Sequence, residues 1–208
     1  MERLRISPTN PEPSVLARAA ATLQAGGLVV FPTDTFYGLA ADPRHAGAVE
    51  RVFQAKGRSS TVALPLIAAD VEQAVAASTG LSGLTLRLAV AFWPGALTLV
   101  VDAAPVILSA VHGGTNTIAI RVPDHPVARQ LASANGFPIV STSANRSGEP
   151  AVSDADAAVA AIGDLVDLVL DGGATPGEAP STIVDARAQV PLLLRAGVVP
   201  FSRVLEVS

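Results

Sequence analysis

Leu28-Val29-Val30-Phe31-Pro32-Thr33-Asp34-Thr35-Phe36-Tyr37-Gly38-Leu39 is the stretch on which the fold class turns. Its first four residues are a short, continuous apolar run, the pattern of a strand buried on both faces. The chain then breaks into hydroxyls, a carboxylate and turn formers. A buried strand that empties into polar side chains sets them at its carboxyl end, where open α/β sheets hold their ligands. An ordinary loop capping the next helix fits the same spacing.

Before this strand, Val15, Leu16, Ala19, Ala20 and Leu23 recur at helical spacing and predict a helix over 13–25, with Ser14 as cap and Gly26-Gly27 as stop. After it, a helix over 44–55 leads to Lys56-Gly57-Arg58. Lys56 is the only lysine, against thirteen arginines. Two cations on a glycine turn suit a phosphate. A cation at a helix C-terminus also satisfies the helix dipole, so spacing alone leaves both readings open.

Residues 62–68 read as a strand which Pro65 places near an edge or bulge. Helices follow over 70–78 and 81–92, opened by Asp70 and Ser82 and ended by Trp93-Pro94-Gly95. The β-branched and apolar runs 97–101 and 117–122 read as central strands, with 111–116 as a polar loop between them. Arg121 closes the second run, and a charge there needs an anionic partner, either a protein carboxylate or one from a ligand. A helix over 124–134 precedes Pro138-Ile139-Val140, a strand that again opens into hydroxyls at Ser141-Thr142-Ser143-Ala144-Asn145. Two strands ending in such loops suggest one shared site. A helix capped at Ser153, a strand over 166–170, a paired 181–185 and 192–197, and a turn or helix in the tail complete the pattern. Strands alternate with helices until a strand-rich final third, which predicts an α/β domain with a mixed sheet.

The chain has 208 residues, half of them hydrophobic, enough for a sizeable core in one domain. No run of eighteen apolar residues offers a membrane span, and the charged start is unlike a signal peptide, so a soluble cytoplasmic protein is expected. The absence of cysteine removes disulfides, thiolate catalysis and cysteine-held zinc. His45, His112 and His125 are scattered, and any metal would be oxygen-bound magnesium on a phosphate ligand. A net charge of −4 excludes a globally basic nucleic-acid surface. Neither a Walker A nor a GxGxxG sequence is present.

Seven segments in order, PTDTFYGLA (32–40), KGR (56–58), TIAIRVPDHP (117–126), STSANRSG (141–148), DGG (171–173), STIVD (181–185) and LLRAG (193–197), resemble the YrdC family of threonylcarbamoyl-AMP synthases. The resemblance implies a single YrdC-like α/β domain over 1–208, core about 13–197, whose mixed, twisted sheet is flanked by helices and carries a deep, positively lined cleft. It implies an L-threonylcarbamoyladenylate synthase, a nucleotidyltransferase that converts L-threonine, bicarbonate and ATP, with Mg2+ on the ATP, to threonylcarbamoyl-AMP and pyrophosphate. That product would serve N6-threonylcarbamoyladenosine formation in tRNA through a downstream transferase complex, with weak tRNA binding as a further expectation. Carried over by position, Lys56 and Arg58 are catalytic and bind nucleotide together with Thr117, Ser143, Asn145, Ser153 and Arg195. Thr33, Thr35, Arg121 and Ser181 would bind threonine, and no protein metal site is implied.

Two departures stand out. Ser59 follows Arg58 where many members have proline, and Ala68-Ala69 follow Leu64-Pro65-Leu66 where many carry a threonine-side histidine. Ending soon after LLRAG, the chain resembles the family's short form. An RNA-binding module without synthase activity is one alternative, and a carbamoyl-adenylate-forming domain of the hydrogenase-maturation type is another. The second normally accompanies zinc fingers, for which this chain has no cysteine.

Overall fold

Leu28 and Val30 pack into one hydrophobic cluster and Val29 and Phe31 into another, so the strand is covered on both faces. Leu168 and Leu170 likewise face the second cluster while Val169 faces the first. This alternation appears in a computed structural model that describes residues 1–57, 62–81 and 83–208. Each fully buried aliphatic or aromatic side chain contributes about 1.5–3 kcal/mol.

In chain order the elements are β1 (Glu2–Arg5), α1 (Pro13–Gln24), β2 (Val29–Phe31), β3 (Gly38–Ala41), α2 (Ala46–Lys56), β4 (Leu66–Ile67), α3 (Val71–Ala76) and α4 (Gly83–Phe92). They continue with β5 (Leu97–Asp102), α5 (Ser109–His112), β6 (Thr117–Arg121), α6 (Pro126–Asn135), β7 (Ile139–Ser143), α7 (Ala155–Ile162), β8 (Leu168–Asp171), β9 (Thr182–Asp185), β10 (Leu192–Arg195) and α8 (Phe201–Val207). The strands form a ten-stranded sheet in the order β1-β8-β2-β3-β7-β4-β6-β5-β9-β10. Pairings of β8 with β1 and β2, β4 with β6, and β5 with β9 are parallel, and the others are antiparallel. The mixed α/β sheet expected from the sequence is therefore the fold.

The local differences have physical reasons. α1 starts at Pro13, whose fixed φ suits a first helical position, and its cap is Glu12 rather than Ser14. α7 is capped by Asp154, whose carboxylate accepts the Ala157 amide at 2.7 Å, not by Ser153. β4 lies in the sheet interior between β7 and β6, not at an edge. Pro65 lies just before the strand, outside its paired residues, and its carbonyl accepts the Ser141 amide at 2.8 Å. The polar stretch 111–116 begins inside α5, and Gly38 starts a strand where a continuous loop is expected. β1 is charged and largely exposed, so no hydrophobic pattern marks it. Asp70 caps α3 as expected, while Ser82, expected to open α4, lies outside the described residues.

Candidate functional site

Loop 32–37 leaves β2 and is shaped by its own hydroxyls. Thr33 Oγ1 donates to the Phe36 carbonyl at 2.7 Å and accepts the Thr35 amide at 3.1 Å, with Thr35 Oγ1 also 3.1 Å away. The loop is then tied to its surroundings: the Ala144 amide donates to the Tyr37 carbonyl, the Tyr37 amide to Val152 and the Gly177 amide to Thr35. Tyr37 Oη donates to the Gly173 carbonyl at 2.7 Å, and burial pushes its pKa up to about 12. The DGG segment thus braces the floor of the loop.

Thr33, Thr35 and Arg121 line a cavity of about 160 Å³ with Thr98, Ser143, Ser181 and Arg195. Arg121 is 7% exposed, and its Nη1 lies 2.9 Å from Asp34 Oδ1. This contact is ionic without good hydrogen-bond alignment, since neither atom has an aligned partner. Arg121 Nη2 reaches Thr35 Oγ1 at 3.4 Å. Burial lowers the Arg121 pKa, and Asp34 opposes that shift. The partner that the sequence demands for Arg121 is thus Asp34, while the guanidinium still borders the cavity.

Arg195 Nε and Nη2 donate to the Ser181 carbonyl at 3.0 and 2.7 Å, and Nη2 also reaches Ser181 Oγ at 2.9 Å. Burial, then repulsion from Arg121, lowers the Arg195 pKa. Two guanidiniums that border one small cavity, Arg121 acting to lower the pKa of Arg195, form a place for an anion. The LLRAG glycine permits this approach: a Cβ on Gly197 would sit 2.2 Å from the Pro180 carbonyl oxygen and 2.5 Å from Ser181 C. That close approach keeps Ser181 and the end of β10 together.

A second cavity, about 470 Å³, is lined by Lys56, Asn145, Ser147, Gly148 and Glu149. It shares Pro65, Thr142, Ser143, Ile183 and Arg195 with the first, so the two adjoin. Lys56 is the last residue of α2, followed by Gly57 in the left-handed region at φ 62°. The lysine is 3% exposed, not a solvated cation on a turn. Its Nζ donates to the Ser143 carbonyl at 2.7 Å, Asn145 Oδ1 at 2.9 Å and the Asn145 carbonyl, and it lies 3.3 Å from Ser143 Oγ. Asn145 Nδ2 completes the loop by donating to the Glu149 carbonyl at 2.6 Å.

Most site residues predicted from the sequence therefore converge, in two adjoining groups. Thr33, Thr35, Arg121 and Ser181 line the smaller cavity, Lys56 and Asn145 the larger, and Ser143 and Arg195 border both. Thr117 lines neither, although Ala119, two residues along the same strand, lines the larger. Ser153 also lines neither, and its carbonyl accepts the Thr175 amide. Arg58 lies outside the described residues. Sequence reasoning missed Thr98, a hydroxyl in the apolar run of β5, and the ion pairing of Asp34. The first had a visible signal in its polarity within a buried strand; the second needed two segments eighty-seven positions apart to meet.

Comparison with known proteins gives a consistent result. The Sua5/YciO/YrdC family model, described as telomere recombination, matches residues 21–197. A Bacillus subtilis protein named threonylcarbamoyl-AMP synthase is 38% identical over 183 residues, 88% of this chain and 53% of that protein. One of the same name from Pyrococcus abyssi is 36% identical over 189 residues, 91% of this chain and 56% of that protein. The chain spans about half the length of these two curated relatives. A crystal structure of Pyrococcus abyssi Sua5 complexed with L-threonine superposes with a TM-score of 0.94 at 33% identity, covering 100% of this chain and 61% of that one.

Proposed function

The chain belongs to the Sua5/YciO/YrdC family, and from that membership we propose that it is an L-threonylcarbamoyladenylate synthase. The observation that carries the reading is the junction of two cavities at Ser143 and Arg195, one bordered by Arg121 and the other by Lys56. A small anionic amino acid fits beside the guanidinium of Arg121, with its hydroxyl among Thr33, Thr35 and Ser181. A nucleotide fits the larger space, its phosphates toward Arg195 and the segment Lys56–Arg58, its ribose and base beside Ser143 and Asn145. Thr117 and Ser153 would then contact the nucleotide from farther out.

In the reaction, the threonine amine adds to the carbon of bicarbonate with loss of water and gives an N-carboxylate. One oxygen of that carboxylate attacks the α-phosphorus of ATP, the bond to the β-phosphate oxygen breaks, and pyrophosphate leaves. The chain's contribution is to hold both reactants together and to neutralise charge, because a carbamate exposed to water decomposes before it meets the phosphate. Arg195 stands where the two spaces join, suited to the charge that grows as pyrophosphate departs. No side chain is needed as a covalent nucleophile. Magnesium enters as part of MgATP. Its ligands would be phosphate oxygens and water.

The product would pass to a tRNA threonylcarbamoyl transferase complex in the cytoplasm, and tRNA contact, if any, would be weak and salt-sensitive. No described helix is long and apolar enough to cross a membrane. Purified protein given ATP, L-threonine and bicarbonate should release pyrophosphate and form an AMP-containing product. Equal pyrophosphate release without threonine would overturn the proposal.

A further inference from the structure

Thr98 lies on β5, 3% exposed, and borders the smaller cavity. Its Oγ1 is 2.8 Å from Ser181 Oγ. Ser181 Oγ also accepts an N–H from Arg195 Nη2 at 2.9 Å, and since a guanidinium has no acceptor, that bond uses a serine lone pair. The pair of hydroxyls holds two protons. One is used between them, and neither oxygen has another partner among the described residues.

We infer that Thr98 is a positioning residue for the amino-acid substrate. It donates to Ser181 Oγ, fills that oxygen's second acceptor position and turns the serine proton into the cavity, toward an acceptor oxygen of the ligand. An oxygen that accepts from both a cation and a hydroxyl is polarised into a better donor. Without Thr98, Ser181 keeps its bond to Arg195, but its proton is free to rotate away. A threonine among the leucines and valines of residues 97–101 is explained by this role. The inference rests on the synthase reading, because the ligand that accepts the proton is the proposed threonine.

The test is Thr98→Val, which keeps shape and β-branching while deleting the hydroxyl, with Thr98→Ser as the conservative variant. Steady-state kinetics on folded, purified protein should give Thr98→Val a KM for threonine raised about five- to tenfold, the scale of one oriented hydrogen bond, with the KM for ATP within about twofold of wild type. Thr98→Ser should restore the threonine KM. Threonine should also raise the melting temperature of wild type and Thr98→Ser more than that of Thr98→Val. A Thr98→Val enzyme with a wild-type threonine KM overturns the inference, as does an equal rise in both KM values or a serine variant no better than valine. If Thr98→Val fails to fold, Thr98→Ser decides alone: a wild-type threonine KM and wild-type thermal protection support the role, and loss of either overturns it. If wild type neither makes product nor is stabilised by threonine, the synthase reading falls and this inference with it.

Discussion

Arg121 Nη1 lies 2.9 Å from Asp34 Oδ1, yet of the two only the arginine borders the cavity. Asp34 Oδ2 accepts the Asp124 amide at 3.2 Å, so the carboxylate is fixed from the side where α6 begins. Side-chain exposures of 8% and 13% make this a buried pair, in which losing one member strands the other's charge. Asp34→Ala should therefore cost about 3 kcal/mol of unfolding free energy. Saturating L-threonine should recover more of that loss than it adds to wild type, because a ligand carboxylate supplies the missing counter-charge. Urea denaturation with and without threonine measures both, and a loss below about 1 kcal/mol would mean that the pair behaves like an exposed one.

Lys56 is the second case in which burial changes an expectation. A lysine on an exposed turn would affect phosphate contacts alone, but this Nζ sits among Ser143 and Asn145 oxygens and holds the loop after β7 in place. Lys56→Met, which keeps the length of the stem, should destabilise the fold by about 2–3 kcal/mol by leaving buried acceptors unpaired. It should also lower turnover of the folded fraction by roughly a hundredfold or more. Denaturation and pyrophosphate release on the same preparation separate the two effects. Wild-type stability in the mutant would contradict the anchoring role.

The elements that were legible in the sequence are those whose hydrophobic period survives local reading. β2, β5, β6 and β9 are apolar because they are covered on both faces or lie in the sheet interior, and α1 and α6 carry one apolar stripe each. β1 and β3 were hidden for opposite reasons, the first too charged and the second beginning at a glycine after a polar loop. β4 misled because a proline argues for an edge, and only the register shows its carbonyl in use on one side. At the site, residue types were legible but partners were not. The run Ser143-Ala144-Asn145 announces hydroxyl and amide chemistry, while the fact that Lys56 binds those same residues is tertiary.

His125 makes the pH dependence specific. It sits before α6 with Nδ1 buried and unpartnered, and burial lowers its pKa from the ordinary 6.5, with Asp34 and Asp124 opposing the shift and Arg121 adding to it. The unfolded chain therefore takes up this proton at higher pH than the folded one. Stability from the neutral ring is intact above the unfolded value and declines as pH falls through it toward the lower folded value. Asp42, Asp171 and Asp185, whose pKa values lie below 3.8, act only at more acidic pH. The drop in urea midpoint between about pH 7 and pH 5 should shrink in His125→Phe relative to wild type. Parallel curves for the two proteins would show that His125 titrates as it does in the unfolded chain.

Arg121 itself separates the two halves of the proposed site. Its guanidinium already spends one nitrogen on Asp34 and extends Nη2 toward Thr35 Oγ1, so the fork is oriented before any ligand arrives. A carboxylate on the cavity side would then meet planar donors at fixed spacing, which the single rotating ammonium of lysine cannot reproduce. Arg121→Lys keeps the charge beside Asp34 and should leave most of the stability. Threonine affinity should fall roughly thirty-fold, about 2 kcal/mol, the scale of a lost charge-assisted hydrogen bond, while ATP affinity changes far less. Threonine should protect wild type against heat and fail to protect the mutant. If Arg121→Lys binds threonine normally and ATP poorly, the guanidinium serves the nucleotide, and the smaller cavity belongs to the phosphates instead of the amino acid.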